Sequence, residues 1–388
     1  MAAAVQRLRT SVAPMVRVTH PYFLRLTRLI SPFGNHQLWT EMIHANAFSR
    51  AQMHLDPAKL SSKLPLHEIE EFSAGVVVQI ASASPPDAHE AVRQLIKLRV
   101  RNINLNCGCP SRNVQMGSFG AIMMKTPQLV ADVVDQMCTA ARGTGCQISV
   151  KCRIGVDEDE SPEFLQRFLS AVVGQRRHAD ELPVSIVLHA RRAWLQGLSP
   201  KQNRKIPELN YERVHEMARR FTNTSFVING GIDTVDSVVE HLAKVDGVMI
   251  GRKIGDDPWF LSQLDQHVYG IPAHAVPSPS DVLARYVRYG DEMHARYGAR
   301  YSALSEPLYR LFAGRKNKAL HIRLNEARSK AKRDAGLHQD AKYSVSFSEL
   351  VLEAVHNAEM DLRQQQDSLE SSGDVSHLPS KELHIAEA

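Results

Sequence analysis

Cys109, Lys151 and His189 are the side chains best suited to chemistry. Cys109 lies in a Gly108-Cys109-Pro110 turn, where glycine permits a backbone that L-residues resist and proline stiffens it. A thiol of pKa ~8.5 is mostly protonated at neutral pH, so it can donate a proton without prior activation. Lys151 stands in the run Gln147-Ile-Ser-Val-Lys-Cys152, where an ammonium is costly to bury unless paired. It suits an electron-rich carbonyl or ring nitrogen, or an internal partner such as Glu41. His189 ends another apolar run and is either ligand-facing or a core histidine bonded to a backbone carbonyl. Cys107 and Cys109 form C-x-C, which lacks the spacing and the second ligand pair of a zinc site, so no metal is expected.

Two glycine-bearing segments add a ligand feature. Asn229-Gly230-Gly231 and Gly251-Arg252 each close an apolar run. Glycines there let backbone N–H groups approach a phosphate, a following helix N-terminus adds its dipole, and Arg252 adds a charge. Taken singly these are tight turns; on consecutive strands they favour phosphate. A flavin joins a phosphate to a ring rich in carbonyls and ring nitrogens, which suits Lys151, while Gln79 can bond its uracil-like edge. Segment 191–205 carries Arg191, Arg192, Lys201, Arg204 and Lys205 beside Trp194. Cations with an aromatic suit a nucleic-acid backbone and a stacked base, although a solvated loop would look the same.

These groups need a frame. Strand-like runs occur at 12–17, 36–43, 75–80, 101–106, 147–152, 184–190, 225–229 and 246–251. Several are apolar almost throughout, as in parallel strands buried on both faces. Helical patterns follow at 21–30, 57–70, 87–98, 127–141, 161–174, 211–221, 233–242 and 256–268. Eight such repeats over residues 11–270 predict an α/β fold, a (β/α)8 TIM barrel, with the polar residues above at its C-terminal face. A doubly wound open sheet is the alternative; it is disfavoured because no G-x-G-x-x-G follows the first strand. Prolines at 272, 277 and 279 mark residues 271–280 as a linker. Beyond it, helical patterns at 280–297, 301–313, 316–333 and 346–363 predict a small all-α domain over 281–363, with Leu320, Leu324, Ala327 and Ala331 as one apolar stripe.

The ends differ from the body. Residues 1–10 are a short extension, and the first acid is Glu41, so the start is Arg-bearing and acid-poor like a transit peptide. The strand expected from residue 11 leaves little room for one, so the cytoplasm is the expected location and a mitochondrion or other organelle the alternative. Residues 364–388 are expected to be a disordered acidic tail. Hydrophobic residues at 43% and charged residues at 23% exclude a wholly disordered chain. No apolar run approaches the roughly 20 residues that span a bilayer. Five cysteines in 388 residues suit free thiols in a reducing compartment. The net charge of +5 is uneven, because segment 296–333 holds eleven Lys and Arg against Glu306 and Glu326. That concentration suits an RNA-docking surface carried by Arg315, Lys316 and Lys330.

At these residues the chain resembles the tRNA-dihydrouridine synthases, over nearly all of 11–333. Ala13-Pro14-Met15, Thr40-Glu41-Met42, Leu105-Asn106-x-Gly-Cys109-Pro110 and Asn229-Gly230-Gly231 look like that family's motifs. His189-Ala-Arg-Arg-Ala-Trp-Leu-Gln-Gly-Leu-Ser-Pro-Lys-Gln-Asn-Arg204 looks like its A-type subfamily, which modifies tRNA D-loop positions 20 and 20a. The resemblance implies FMN across the barrel mouth and NADPH as its reductant. Gln79, Lys151 and His189 would contact the isoalloxazine and ribityl chain. Asn229, Gly230, Gly231, Gly251 and Arg252 would hold the phosphate, and Pro14 and Met15 would pack on the flavin. A hydride would pass from flavin N5 to uracil C6 while Cys109 protonates C5. Asn106 would hold flavin or uracil, and Arg191, Lys201 and Arg204 would meet the tRNA. The sequence departs from the family pattern at Arg112, Asn113, Met116 and Ser118, beside the catalytic loop, and Cys107 is an extra thiol. Two other functions stay open on the sequence: reduction of a free pyrimidine, and a non-catalytic RNA-binding role. The oligomeric state is left unpredicted.

Overall fold

Parallel strands that are apolar on both faces must be covered by helices on the outside and packed against one another on the inside. The computed structural model shows this arrangement and describes residues 9–49, 57–174, 184–312, 314–334 and 345–372. The chain divides into two compact units, Met1–Val282 and Leu283–Ala388. The first holds strands β1 (Thr10–Val12), β2 (His36–Trp39), β3 (Ile43–His44), β4 (Val76–Ala81), β5 (Asn102–Cys107), β6 (Gln147–Arg153), β7 (Ser185–His189), β8 (Phe226–Asn229) and β9 (Gly247–Ile250). All pairings are parallel, and β1 pairs with both β2 and β9. The ladder runs β2-β1-β9-β8-β7-β6-β5-β4 and closes through a β2–β4 pairing. The result is an eight-stave TIM barrel, with β3 extending the β2 stave alongside β4.

Alternation along each strand sorts the core. Val76, Val78 and Ile80 of β4 join the large layer under the helices, while Val77 joins Ala13, Trp39, Val187 and Met249 inside the barrel. At the N-terminal rim, Thr10 Oγ1 lies 2.5 Å from His36 Nδ1 and 2.7 Å from the Tyr269 hydroxyl. His36 Nε2 lies 3.1 Å from Asp265 Oδ1. These buried groups tie the first two staves to the last barrel helix, Phe260–Tyr269, at the end opposite the site.

Prolines set most of the differences from the sequence expectations. The first strand ends at Val12 rather than running to 17, because Pro14 has no N–H to give the ladder. Met15 then turns its N–H to Thr19 Oγ1 (3.0 Å), and Arg17 takes a φ of 65°. The strand includes Thr10, so the extension expected over 1–10 is shorter; residues 1–8 lie outside the described set. The stave expected over 36–43 breaks because Thr40 Oγ1 accepts the Gln79 N–H (3.1 Å) and donates to its neighbour's carbonyl. The helix expected over 57–70 is two, Pro57–Ser61 and Leu66–Phe72, parted at Pro65. The one expected over 256–268 is Arg252–Asp256 and Phe260–Tyr269, parted at Pro258. Pro21–Ile30 and Pro127–Ala141 begin at prolines, as expected for a first helical turn.

The second unit contains helices Tyr301–Ser305, Gly314–Asp334 and Phe347–Ser372 and most of Pro279–Tyr297. Leu320, Leu324 and Ala331 of the expected stripe are buried, as are Leu350, Val351, Ala354 and Ala358 of the helix that packs on theirs. Phe347 fits because position 290 is glycine: a Cβ there would lie 2.2 Å from the Phe347 ring. The last helix continues to Ser372, so residues 364–372 are helical rather than part of a disordered tail; 373–388 lie outside the described residues. Earlier in that helix, Glu353, Glu359 and Asp361 pair with Lys330, Lys316 and Arg323 of the preceding helix. Among the described residues no helix is long and apolar enough to cross a membrane.

Candidate active site

Inward-facing residues of β4, β5 and β6 build the floor of the site. Asn104 Nδ2 donates to Ser149 Oγ (2.9 Å), and Gln79 Nε2 donates to Asn104 Oδ1 (2.8 Å). Asn106 Nδ2 donates to Gln79 Oε1 (2.8 Å). Asn106 Oδ1 then accepts the N–H groups of Gly108 (3.1 Å) and Cys109 (3.0 Å). A continuous amide chain therefore runs from the barrel interior to the Cys109 turn. A buried polar chain with its partners in place is rigid. Gln79 is inside this chain, and Asn106 grips the Cys109 backbone.

Lys151 and Arg153 face inward from β6. Lys151 Nζ donates to Asn229 Oδ1 (3.0 Å), not to Glu41, which accepts the Arg17 backbone N–H instead. Asn229 Nδ2 in turn bonds the Met249 carbonyl (2.8 Å). Burial, and then the nearby Arg153, lower the Lys151 pKa to about 8. Arg153 is 4% exposed and has no acid partner among the described residues. Its guanidinium donates to the carbonyls of Gly108 (2.9 Å), Arg192 (2.9 Å) and Asn203 (3.1 Å), and burial lowers its pKa to about 10. This residue was missed in the sequence. The available signal was its position two residues after Lys151, on the same strand face.

Cys109 is half-buried, and burial raises its pKa, opposed by a Ser111 backbone contact and by Arg153, Arg204 and Lys151. The thiol therefore stays protonated at neutral pH, while cations wait to moderate the charge if the proton leaves. Cys107 and Cys152 sit opposite each other across β5 and β6, fully buried on the outer face, and burial pushes Cys152 up to about 12. They are packing residues.

The other side of the mouth comes from β7, β8 and β9. Burial and four neighbouring cations hold His189 neutral, well below its usual pKa, and its Nδ1 is buried with no hydrogen-bond partner among the described residues. Gly230 and Gly231 have φ of 117° and 72°. A Cβ at Gly230 would sit 3.1 Å from His189 Cε1, and one at Gly231 would sit 2.6 Å from Leu209, so both must be glycine. The Tyr211 hydroxyl donates to the Gly230 carbonyl (2.8 Å). Half-buried Pro14 and Met15 leave β1, and Met15 Sδ would lie 3.7 Å from a Cβ at Gly251. Arg252 follows in a helix of only five residues, so a helix dipole adds little there.

Segment 191–209 is an ordered loop. Buried Asn203 accepts the Trp194 N–H (2.7 Å) and donates to the Trp194 and Leu198 carbonyls. Arg192 lies 4.6 Å over the Trp194 ring. Asp157 Oδ1 accepts the Leu195 N–H (2.8 Å). Arg191 donates to the Pro207 carbonyl and lies near Arg252 and Tyr211, which places it with the glycine pair. Arg252 donates to the Arg204 carbonyl (3.3 Å), and Lys201 is exposed. The structure thus gathers Gln79, Asn106, Cys109, Lys151, His189, Asn229 and the glycines around one mouth. Within the second unit, Lys316 and Lys330 have acid partners. They pair with Glu359 (2.8 Å) and Glu353 (3.8 Å), and the Arg315 side chain lies outside the described residues. A trio that brings metal-binding atoms together, His67, Glu68 and Glu71, is engaged by Arg25, with Arg28 also on Glu68.

The family described as dihydrouridine synthase (Dus) matches residues 11–346. The chain is similar to a tRNA-dihydrouridine(20/20a) synthase of Xanthomonas campestris, with 38% identity over 288 residues, 74% of this chain and 79% of the relative. A relative of the same description from Xylella fastidiosa is 37% identical over 306 residues, 79% of this chain and 83% of its own. One from Shewanella oneidensis is 34% identical over 304 residues, 78% and 84% of the two chains.

Proposed function

Because the chain belongs to the dihydrouridine synthase family, we propose that it reduces uridine to 5,6-dihydrouridine in tRNA, at D-loop positions 20 and 20a, with FMN as bound cofactor and NADPH as reductant. The activity named for the relatives supports the substrate. The observation that carries the chemistry is a half-buried thiol at the mouth, its pKa raised by burial, held by Asn106 among cations that have no carboxylate partner among the described residues.

The residues suit FMN, an anionic ring compound with a phosphate. His189 has a buried nitrogen with no hydrogen-bond partner among the described residues, Gly230 and Gly231 hold left-handed backbone at the mouth, and Lys151, Arg191 and Arg252 supply positive charge. Gln79, Lys151 and His189 would hold the ring and ribityl chain, with Pro14 and Met15 packed beside them. Asn229, Gly230, Gly231, Gly251 and Arg252 would hold the phosphate. When bound, the flavin accepts electrons from NADPH and supplies the hydride that adds at uracil C6.

The chain's own part is proton delivery and placement. Cys109 Sγ–H transfers its proton to C5 of the uracil. Arg153, Arg204 and Lys151 moderate the thiolate left behind, which regains a proton from solvent. Asn106 fixes the Cys109 backbone, so the thiol is aimed before substrate arrives. Arg191, Lys201 and Arg204 meet the RNA at the mouth. In the helical unit, exposed Arg285, Arg288, Arg300 and Lys318 have no carboxylate partner among the described residues and carry more of the docking than the paired Lys316 and Lys330, with Arg315 kept as a further contact. The cytoplasm is the assigned place, and an organelle the alternative.

A Cys109→Ala variant tests this. It is expected to stay yellow while dihydrouridine formation falls by about 10²–10⁴-fold. Turnover near wild type overturns Cys109 as the acid. Position-resolved mapping in cells lacking the protein tests the sites: loss at 20 and 20a is expected, and unchanged dihydrouridine favours a non-catalytic RNA-binding role.

A further inference from the structure

The large apolar side chains exposed in the first unit, among the described residues, are Val16 (66%), Met116 (78%), Ile206 (57%) and Val239 (49%). A single exposed apolar residue means little. Here Val16, Met116 and Ile206 all lie in loops leaving the C-terminal ends of strands, β1, β5 and β7, which is the face that carries Cys109. Val239 is the exception, on helix Val235–Leu242.

Met116 and Ile206 are held in place. Met116 ends the helix Arg112–Met116, just past the Cys109 turn. Its neighbour Gln115 donates from Nε2 to the Pro110 and Leu195 carbonyls, 2.8 Å each, so this helix is pinned between the Cys109 turn and the β7 loop. Ile206 follows Arg204 and Lys205 in a turn closed by its N–H on the Gln202 carbonyl (2.8 Å). Arg112, Lys201, Arg204 and Lys205 are exposed in the same two loops and have no carboxylate partner among the described residues. Glu208 is the one exposed acid in the β7 loop.

We propose that Met116 and Ile206 cover the nucleobases flanking the target uridine once that uridine has left the stack. The inference rests on the tRNA reading above and adds the residues that recognise the neighbours. Because Cys109 is half-buried in the mouth, C5 reaches it only if the uracil is extruded. Extrusion strips the adjacent bases of a stacking partner. A thioether and a branched alkyl group beside unpaired cations offer those bases apolar cover and their phosphates a counter-charge. The surplus of cations favours a polyanion over an apolar protein surface as the occupant.

The test uses the full-length flavoprotein with M116S/I206S and, as the conservative pair, M116L/I206L. Binding of a tRNA transcript is measured over a range of salt, with turnover and tRNA-free flavin reduction alongside. The serine pair is expected to bind about tenfold more weakly at every salt concentration, with the same salt slope, since no cation is lost. Its KM rises while kcat and flavin reduction stay within about twofold, and the leucine pair stays near wild type. Wild-type-like binding by the serine pair overturns the proposal. So does a changed salt slope, or an equal loss in the leucine pair. Failure of the underlying reading is seen separately: a wild type that binds no tRNA fails before any substitution is made.

Discussion

The cations of the barrel mouth and those of the helical unit have similar chemistry and opposite surroundings. Lys151, Arg153, Arg191 and Arg252 bond amide or backbone carbonyl oxygens and have no carboxylate partner among the described residues. Lys316, Arg323 and Lys330 pair with Glu359, Asp361 and Glu353 on the neighbouring helix. A carbonyl orients a cation without cancelling its charge, whereas a carboxylate largely cancels it. The mouth therefore holds its positive field for a ligand, and much of the helical pair's excess is spent on joining two helices.

The largest expected effect comes from removing a mouth cation that also holds the loops. Arg153→Met leaves the Gly108, Arg192 and Asn203 carbonyls without their charged donor, so unfolding in urea should show a loss of about 3 kcal/mol. A loss below about 1 kcal/mol would mean that those carbonyls find other donors, and that the guanidinium is not the staple described.

Next comes the pH dependence of Lys151. Its pKa of about 8 means the ammonium is present below that value and is lost as pH rises through it. Turnover should fall above pH ~8, and Lys151→Met should be slower throughout with that inflection gone. Stability moves the other way: between about 8 and 10.5 the unfolded chain keeps a proton that the folded chain has released, so folding gains as pH rises. An inflection that survives Lys151→Met belongs to another group.

A smaller effect separates the two kinds of helical-unit cation. R285A/R288A should reduce the salt slope of tRNA binding by nearly two units, and K316A/K330A, with the same change in net charge, by less than one. Equal slopes would show that pairing does not matter and that net charge alone steers the RNA. The smallest effect is on stability. Lys330 and Glu353 are exposed and 3.8 Å apart, so Lys330→Ala should change the unfolding free energy by less than about 0.5 kcal/mol.

Much of this was legible from the residues. The barrel showed itself because its strands are apolar on both faces, a pattern that belongs to buried parallel sheets. Cys109, Lys151 and His189 were visible as polar residues at the ends of apolar runs. The breaks at Pro14, Pro65 and Pro258 were also present in the sequence, but neighbouring apolar residues outweighed them in the segments drawn. Arg153 was harder to see, because its worth lies in carbonyls 45, 39 and 50 residues away. The same holds for Asn203, which looks like any loop asparagine until the loop closes around it.

The order of strands and helices, the glycine pairs and the thiol in its Gly-Cys-Pro turn follow from local residue patterns, since periodicity and backbone freedom are properties of short segments. Tertiary structure decided the pairing of charges. Whether Lys151 meets Asn229 or Glu41, and whether Lys316 faces solvent or Glu359, depends on which distant segments fold against each other. A charge counted along the chain becomes a binding surface only where folding leaves it without a carboxylate partner.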